Sequence, residues 1–101
     1  MLTVDVTSNG ARCIVAPRGE IDAASCPILR SALARAFDGD HATVVVDLAG
    51  VTFMDSSGVG TLAQAHTTLA GTGRQLVLRG AAGIVERVLT ISGFGQAVTI
   101  E

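Results

Sequence analysis

Residues 53–60 read Phe53-Met54-Asp55-Ser56-Ser57-Gly58-Val59-Gly60 and join an apolar, strand-like run to an amphipathic helix. This stretch places two hydroxyl groups at the predicted start of the helix. The first turn of a helix has unpaired backbone N–H groups and a partial positive charge, so it suits an anion or a phosphorylated side chain. The stretch therefore indicates an α/β element order and a candidate site at Ser56 and Ser57.

The composition is typical of a compact globular chain. Its 101 residues are 49% hydrophobic and only 16% charged, which favours one domain over residues 1–101 with one core. The formal net charge is −2, and all seven cationic residues are arginine. Because no broad basic surface is available for phosphates, we expect no direct contact with nucleic acid.

Hydrophobic stretches in the chain are only as long as strands, and no signal-peptide pattern opens it. We therefore expect no membrane span and a cytoplasmic location. Cys13 and Cys26 fall within apolar patterns, where buried free thiols are common. Two cysteines alone specify neither a disulfide framework nor a metal site, and no cofactor is predicted.

Strand patterns alternate with helical ones along the chain. Residues 2–16 predict a hairpin around a turn at 8–10, and 43–48 is β-branched at most positions, as in the buried central strand of a parallel sheet. A short buried strand at 76–78 and an edge strand at 98–100 follow. With the intervening helices, this order predicts an α/β fold with one mixed sheet of four to five strands and flanking α-helices.

Three helices are predicted from apolar residues at helical spacing. The first carries its apolar face on Cys26, Leu29, Leu33, Ala36 and Phe37. The second carries Val59, Leu62, Ala63, His66, Leu69 and Ala70, and the third carries Ile84, Val85, Val88 and Ile91. Each set is expected to face the core.

The two serines at the start of the second helix have different predicted roles. Ser57 is well placed to be the N-cap, since the periodic run starts directly after it. Ser56 then projects ahead of the helix beside Asp55, while Gly58 and Gly60 keep the surrounding surface low enough for another protein to approach. The alternative is that this stretch is only a capped turn, and its spacing leaves both interpretations open.

Catalysis by the chain itself is not predicted. A nucleophile elbow requires glycine two residues before its serine, where Met54 stands before Ser56, and sequence ties neither His41 nor His66 to the serines. A P-loop requires a lysine that the chain lacks, and no dinucleotide fingerprint is complete. We therefore expect a protein that is not an enzyme.

Three separated motifs give the chain a resemblance to the bacterial anti-sigma factor antagonists, members of the STAS domain family. The motifs are Gly19-Glu20-Ile21-Asp22, Val44-Val45-Val46-Asp47-Leu48 and the stretch at 53–60. The resemblance covers essentially the whole chain. It implies a STAS-type single domain over residues 1–101.

The resemblance also implies roles for particular residues. The serine that follows the motif's aspartate is the phosphoacceptor of the family, and this position is Ser56 here. Ser57 is implied as helix cap and site lining, and Asp22 and Asp55 match acidic positions beside the acceptor, although Asp22 also fits the N-cap of the first helix. The remaining residues implied to line the site or contact a partner are Glu20, Gly58, Val59 and Gly60.

A switch operated by partners is the function that the resemblance implies. The unphosphorylated antagonist binds an anti-sigma factor, a serine kinase with a Bergerat-type ATP-binding fold, and so frees a sigma factor for transcription. The kinase inactivates the antagonist by phosphorylation, and a metal-dependent serine phosphatase restores it. The alternative is a non-switching STAS interaction module of a lipid-transport, transporter or stress-signalling complex.

Overall fold

The computed structural model describes all 101 residues, Met1–Glu101. The strands are β1 (Thr3–Asn9), β2 (Arg12–Ile21), β3 (Thr43–Asp47), β4 (Gly50–Met54), β5 (Gln75–Arg79) and β6 (Thr99–Ile100). The helices are α1 (Cys26–Phe37), α2 (Ser56–Ala70) and α3 (Gly83–Ser92), and a 3-10 turn follows at Phe94–Gln96. The predicted α/β class, the opening hairpin and the edge strand are confirmed.

All six strands belong to one mixed sheet in the order β1-β2-β3-β5-β6, with β4 paired to β2 beside this path. β1 runs antiparallel to β2, and every other pair is parallel. The sheet has one strand more than the four to five expected, because Gly50–Met54 forms a strand separate from β3. No helix of the protein combines the length and the apolarity that a membrane crossing requires.

The core is built around β3, which lies between β2 and β5. Val44, Val45 and Val46 are fully buried, as the β-branched run predicts for a strand covered on both faces. Cys13 and Cys26 are buried free thiols, as expected, and burial raises the pKa of the Cys13 thiol. The central strand is therefore the part of the fold that the sequence specifies most directly.

β2 pairs with two strands in succession along its length. Residues 12–15 pair with β3 and residues 18–21 pair with β4. In the second ladder the register shifts between Gly19 and Glu20, so Thr52 is an extra residue in β4. Thr52 and Phe53 are consequently both exposed, while Met54 points into the core. This bulge fixes the direction in which the chain enters α2.

The buried face of α2 differs in part from the predicted face. Leu62 and Leu69 are buried as expected, but Ala63 and His66 are only half-buried. The complete buried set is Gly58, Thr61, Leu62, Ala65 and Leu69. Small residues bring this face close to the sheet, which hydrophobicity alone does not indicate.

The predicted core face of α3 is wrong by about one residue, or about 100° around the helix axis. Val85 and Leu89 are buried, whereas Ile84 is 45% exposed and Ile91 is 78% exposed. Val88 lies half-buried between these two sets. Since isoleucine and valine are equally apolar, the sequence does not show which stripe faces the rest of the protein.

Arg74 joins the end of α1 to the start of β5. Its Nε donates a hydrogen bond to the carbonyl oxygen of His41 at 2.7 Å, and its terminal nitrogens donate to the carbonyl oxygens of Phe37 at 2.9 Å and Ala36 at 3.4 Å. The last carbonyls of a helix have no partner within the helix itself. One guanidinium therefore satisfies the carboxyl end of α1 and the loop behind it.

Candidate functional site

The sequence-predicted site residues meet at the carboxyl ends of β2 and β4. Ile21 pairs with Met54 at the end of this ladder, and the Asp55 N–H donates to the Ile21 carbonyl oxygen at 3.1 Å. Asp22 and Asp55, the residues that follow β2 and β4, are therefore neighbours along the sheet edge. α2 begins directly afterwards at Ser56.

Asp55 is the N-cap of α2, so the prediction that Ser57 caps the helix is wrong. The Asp55 backbone is extended, with φ −107° and ψ −173°, and its Oδ1 accepts a hydrogen bond from the Ser57 N–H at 2.9 Å. Aspartate is as good an N-cap as serine. Ser57 is the second residue of α2, and its carbonyl oxygen accepts from the Thr61 hydroxyl at 2.9 Å.

The cap leaves the two serines in different environments. Ser56 is the first residue of α2 and is exposed, and its hydroxyl takes no part in the cap made by Asp55. Ser57 is half-buried. Of the two hydroxyls at this helix start, that of Ser56 is the one more open to an approaching protein.

Gly58 and Gly60 also differ, and the predicted surface role is wrong for Gly58. A Cβ on Gly58 would lie 2.7 Å from Met54 Cγ and 2.8 Å from Ile21 Cγ2, so this glycine lets α2 approach the β2–β4 ladder. A Cβ on Gly60 would have nothing within 4 Å. Gly60 is exposed, as the sequence predicts, and has no side chain that would obstruct a protein approaching Ser56.

Asp22 is held in a turn before α1. Its Oδ1 accepts from the Ser25 N–H at 2.9 Å, while its own N–H donates to Ser25 Oγ at 2.9 Å. The N-cap of α1 is Ser25, so the alternative assignment of that cap to Asp22 is wrong. The hydrogen bond from the Ser25 N–H to the carboxylate, followed by that from the Ser25 hydroxyl, holds the pKa of Asp22 below its usual value.

The acidic side chains at this end of the sheet form no ion pair with arginine. Glu20 is exposed, Asp22 and Asp55 are half-buried, and none of the three takes part in an ion pair. Arginine pairs elsewhere with Asp5, Asp47 and Glu101. Glu20 and Asp22 also line a groove of about 260 Å³ beside Leu2 and Ile28.

A second groove, here called the α2–α3 groove, opens beside Ser56 and has a volume of about 270 Å³. It is lined by Asp55, Ser56, Val59, Val88, Ile91 and Ser92. Val59 therefore lies beside the serine, as expected. Val88, Ile91 and Ser92 were not predicted here, because the pattern of α3 assigned its isoleucines to the core.

Nothing near Ser56 resembles a catalytic array. His66 lies edge-on to Phe94, with ring centroids 6.3 Å apart and an interplanar angle of 74°. No group of three histidine, cysteine, aspartate or glutamate side chains is placed to hold a metal ion. The arrangement can present a hydroxyl group at a helix start to another molecule.

The fold and the site define a small mixed α/β module that carries an exposed serine where a helix follows a sheet edge. The STAS domain model matches residues 3–101. The chain therefore belongs to the STAS domain family.

Solved structures of similar fold include proteins of more than one kind. An anti-sigma factor antagonist from Mycobacterium paratuberculosis superposes with a TM-score of 0.91 at 22% identity, covering 99% of this chain and 85% of that one. The anti-sigma factor antagonist SpoIIAA in its unphosphorylated form gives 0.82 at 23% identity, covering 98% and 88%. Bacillus SpoIIAA in its phosphorylated form gives 0.74 at 22% identity, covering 98% and 91%. SLC26A9 gives 0.72 at 17% identity, covering 86% of this chain and 17% of that one.

Proposed function

We propose that this protein is a bacterial, cytoplasmic anti-sigma factor antagonist switched by phosphorylation of Ser56. In its unphosphorylated form it binds an anti-sigma factor that is a serine kinase, and so frees a sigma factor for transcription. The kinase switches it off, and a metal-dependent serine phosphatase restores it. The chain is the substrate of both enzymes and performs no catalysis itself.

The observation that carries the proposal is the exposed Ser56 hydroxyl at the start of α2, beside an N-cap that Asp55 supplies without it. Phosphorylation forms a bond between Ser56 Oγ and the γ-phosphorus of ATP held by the kinase. The bond from that phosphorus to ADP breaks, and the hydroxyl proton passes to a base of the kinase. Membership of the STAS family and the likeness to SpoIIAA, solved in both forms, support this assignment.

The charge of the product explains how such a switch operates. A phosphate adds about −1.5 to −2 charge at neutral pH. At Ser56 this charge lies next to the half-buried Asp55 carboxylate, at an end of the sheet that is already negative. A partner surface complementary to the bare serine therefore loses affinity. The positive end of the α2 dipole offsets part of the charge within the fold, so binding responds more than folding does.

The proposal is tested by mapping the phosphate and measuring its effect. A purified anti-sigma serine kinase should label the wild-type chain once, Ser56→Ala should abolish labelling, and Ser57→Ala should retain it. Titration calorimetry of that kinase against bare and phosphorylated chain should show at least about a tenfold loss of affinity, or about 1.4 kcal/mol. A phosphate mapped to Ser57 or to any other residue would contradict the assignment.

A second candidate is a STAS module that binds its partner without switching, since the fold is shared with a protein of another kind, SLC26A9. This candidate predicts equal affinity for bare and phosphorylated chain. Circular dichroism tests whether the phosphorylated chain is folded, and equal binding by a folded chain would report the absence of a switch. Equal binding by the two folded forms would replace the antagonist proposal with this one.

A further inference from the structure

Helix α3 exposes an apolar stripe to solvent. Ile84 is 45% exposed and Ile91 is 78% exposed, and Val88 lies half-buried between them. Positions i, i+4 and i+7 fall on one face of a helix, so the three side chains share one face of α3. Large aliphatic side chains grouped in this way on a small protein mark a surface that contacts another molecule.

The α2–α3 groove joins this stripe to Ser56. Val88 and Ile91 line it from α3, Val59 lines it from α2, and Asp55 and Ser56 lie along the same opening. A protein that brings a phosphoryl donor to the Ser56 hydroxyl must therefore also cover the groove. The stripe and the serine belong to one surface.

Charge restricts what can occupy this surface. No charged residue occurs anywhere in α2, so the α2 side of the groove is neutral except at its Asp55 end. Glu20, Asp22 and Asp55 lie at the sheet edge and form no ion pair. The complementary partner surface carries an aliphatic side chain next to a basic group.

We propose that the kinase that phosphorylates Ser56 docks on the α3 stripe and seats an aliphatic side chain in the α2–α3 groove. This inference rests on the proposed function, since it names the surface used by the same partner. It also explains release after phosphoryl transfer. A phosphate on Ser56 would sit at the edge of a groove filled by an apolar side chain, where its loss of water opposes the bound state.

The test compares two exposed isoleucines. Ile91 belongs to the groove. Ile100 is 53% exposed and lies in β6, the strand that pairs with β5 at the other end of the sheet from β1. The probe is a purified anti-sigma serine kinase chosen from a panel because it labels the wild-type chain at Ser56. Ile91→Ala should raise the KM for the chain by about fivefold or more with kcat little changed, and Ile100→Ala should change KM by less than about twofold.

Three outcomes overturn the inference. If Ile91→Ala is phosphorylated with the wild-type KM while Ser56 remains the labelled residue, the docking surface is wrong and the proposed function stands. If light scattering shows that Ile91→Asp converts a dimer of this chain to a monomer, the groove belongs to a contact between copies. If no kinase of the panel labels the wild-type chain, the proposed function fails and the docking surface fails with it. Circular dichroism of each variant excludes unfolding as the cause.

Discussion

Replacement of Gly58 by alanine should destabilise the protein although it adds a better helix former. The new Cβ would lie 2.7 Å from Met54 Cγ and 2.8 Å from Ile21 Cγ2, and both neighbours are buried. Excess volume of this kind in a packed core costs about 1–3 kcal/mol, while the change from glycine to alanine in a helix gains about 1 kcal/mol. We expect the free energy of unfolding to fall by about 1 kcal/mol.

Gly60→Ala is the matched control, because a Cβ there meets nothing within 4 Å. It should raise the free energy of unfolding by about 0.5–1 kcal/mol. The helix-propensity gain is common to both variants, so the difference between them, about 2 kcal/mol, isolates the close contact. Urea titrations measure this difference, and thermal midpoints should differ by roughly 8–16 °C. If Gly58→Ala is as stable as Gly60→Ala, the close approach of α2 to the β2–β4 ladder is wrong.

Substitutions at three further positions test the capping contacts. Asp55→Ala should lower the free energy of unfolding by about 1 kcal/mol in urea titrations. Asp55→Asn should lower it by much less, because the amide oxygen accepts the same hydrogen bond. Equal losses would show that the charge of Asp55, and not its hydrogen bond, stabilises the helix. Ser25→Ala should raise the pKa of Asp22 part of the way toward its usual value in a carboxyl NMR titration, because the hydroxyl is lost and the backbone N–H is kept. Since the folded pKa is lowered, Asp22 stabilises the fold above its unfolded pKa, and this contribution disappears as pH falls through the folded pKa. The variant should lose less stability on acidification, and an unchanged titration would contradict the hydrogen bonds. Arg74→Ala should lower the free energy of unfolding by about 2 kcal/mol. Arg74→Lys should recover only part of this loss, because one ammonium cannot reach three carbonyl oxygens. Full recovery by lysine would show that the charge alone is responsible.

The parts of the fold that could be predicted are those specified by local pattern. The run around Val45 is β-branched and lies at the centre of the sheet, and the helix-start pattern at Ser56 marks the beginning of α2. β4 could not be separated from β3, because its pairing partner is the distant β2 and only Leu48 and Ala49 lie between the two strands. Pairing between distant residues is not encoded in the alternation of one strand.

The face of each helix depends on what it packs against, and this limited the site prediction. Ile91 and Leu89 are both apolar, but only Leu89 is directed into the core. Gly58 was expected at the surface, where it would let another protein approach Ser56, whereas its position against Met54 follows from how closely α2 approaches the sheet. The cap at Asp55 lies two residues before the expected cap at Ser57. The sequence could not decide between them, because aspartate and serine are about equally good N-caps.

The extra residue at Thr52 also determines the direction in which Ser56 faces. Along β4 the alternation of inward and outward side chains is interrupted once, so that Val51 and Met54 are both buried although they are three residues apart. An insertion or deletion of one residue between Leu48 and Asp55 would reverse that phase, since successive side chains of a strand point to opposite faces. The direction of the Ser56 hydroxyl thus depends on the length of the preceding strand and not on the serine motif itself.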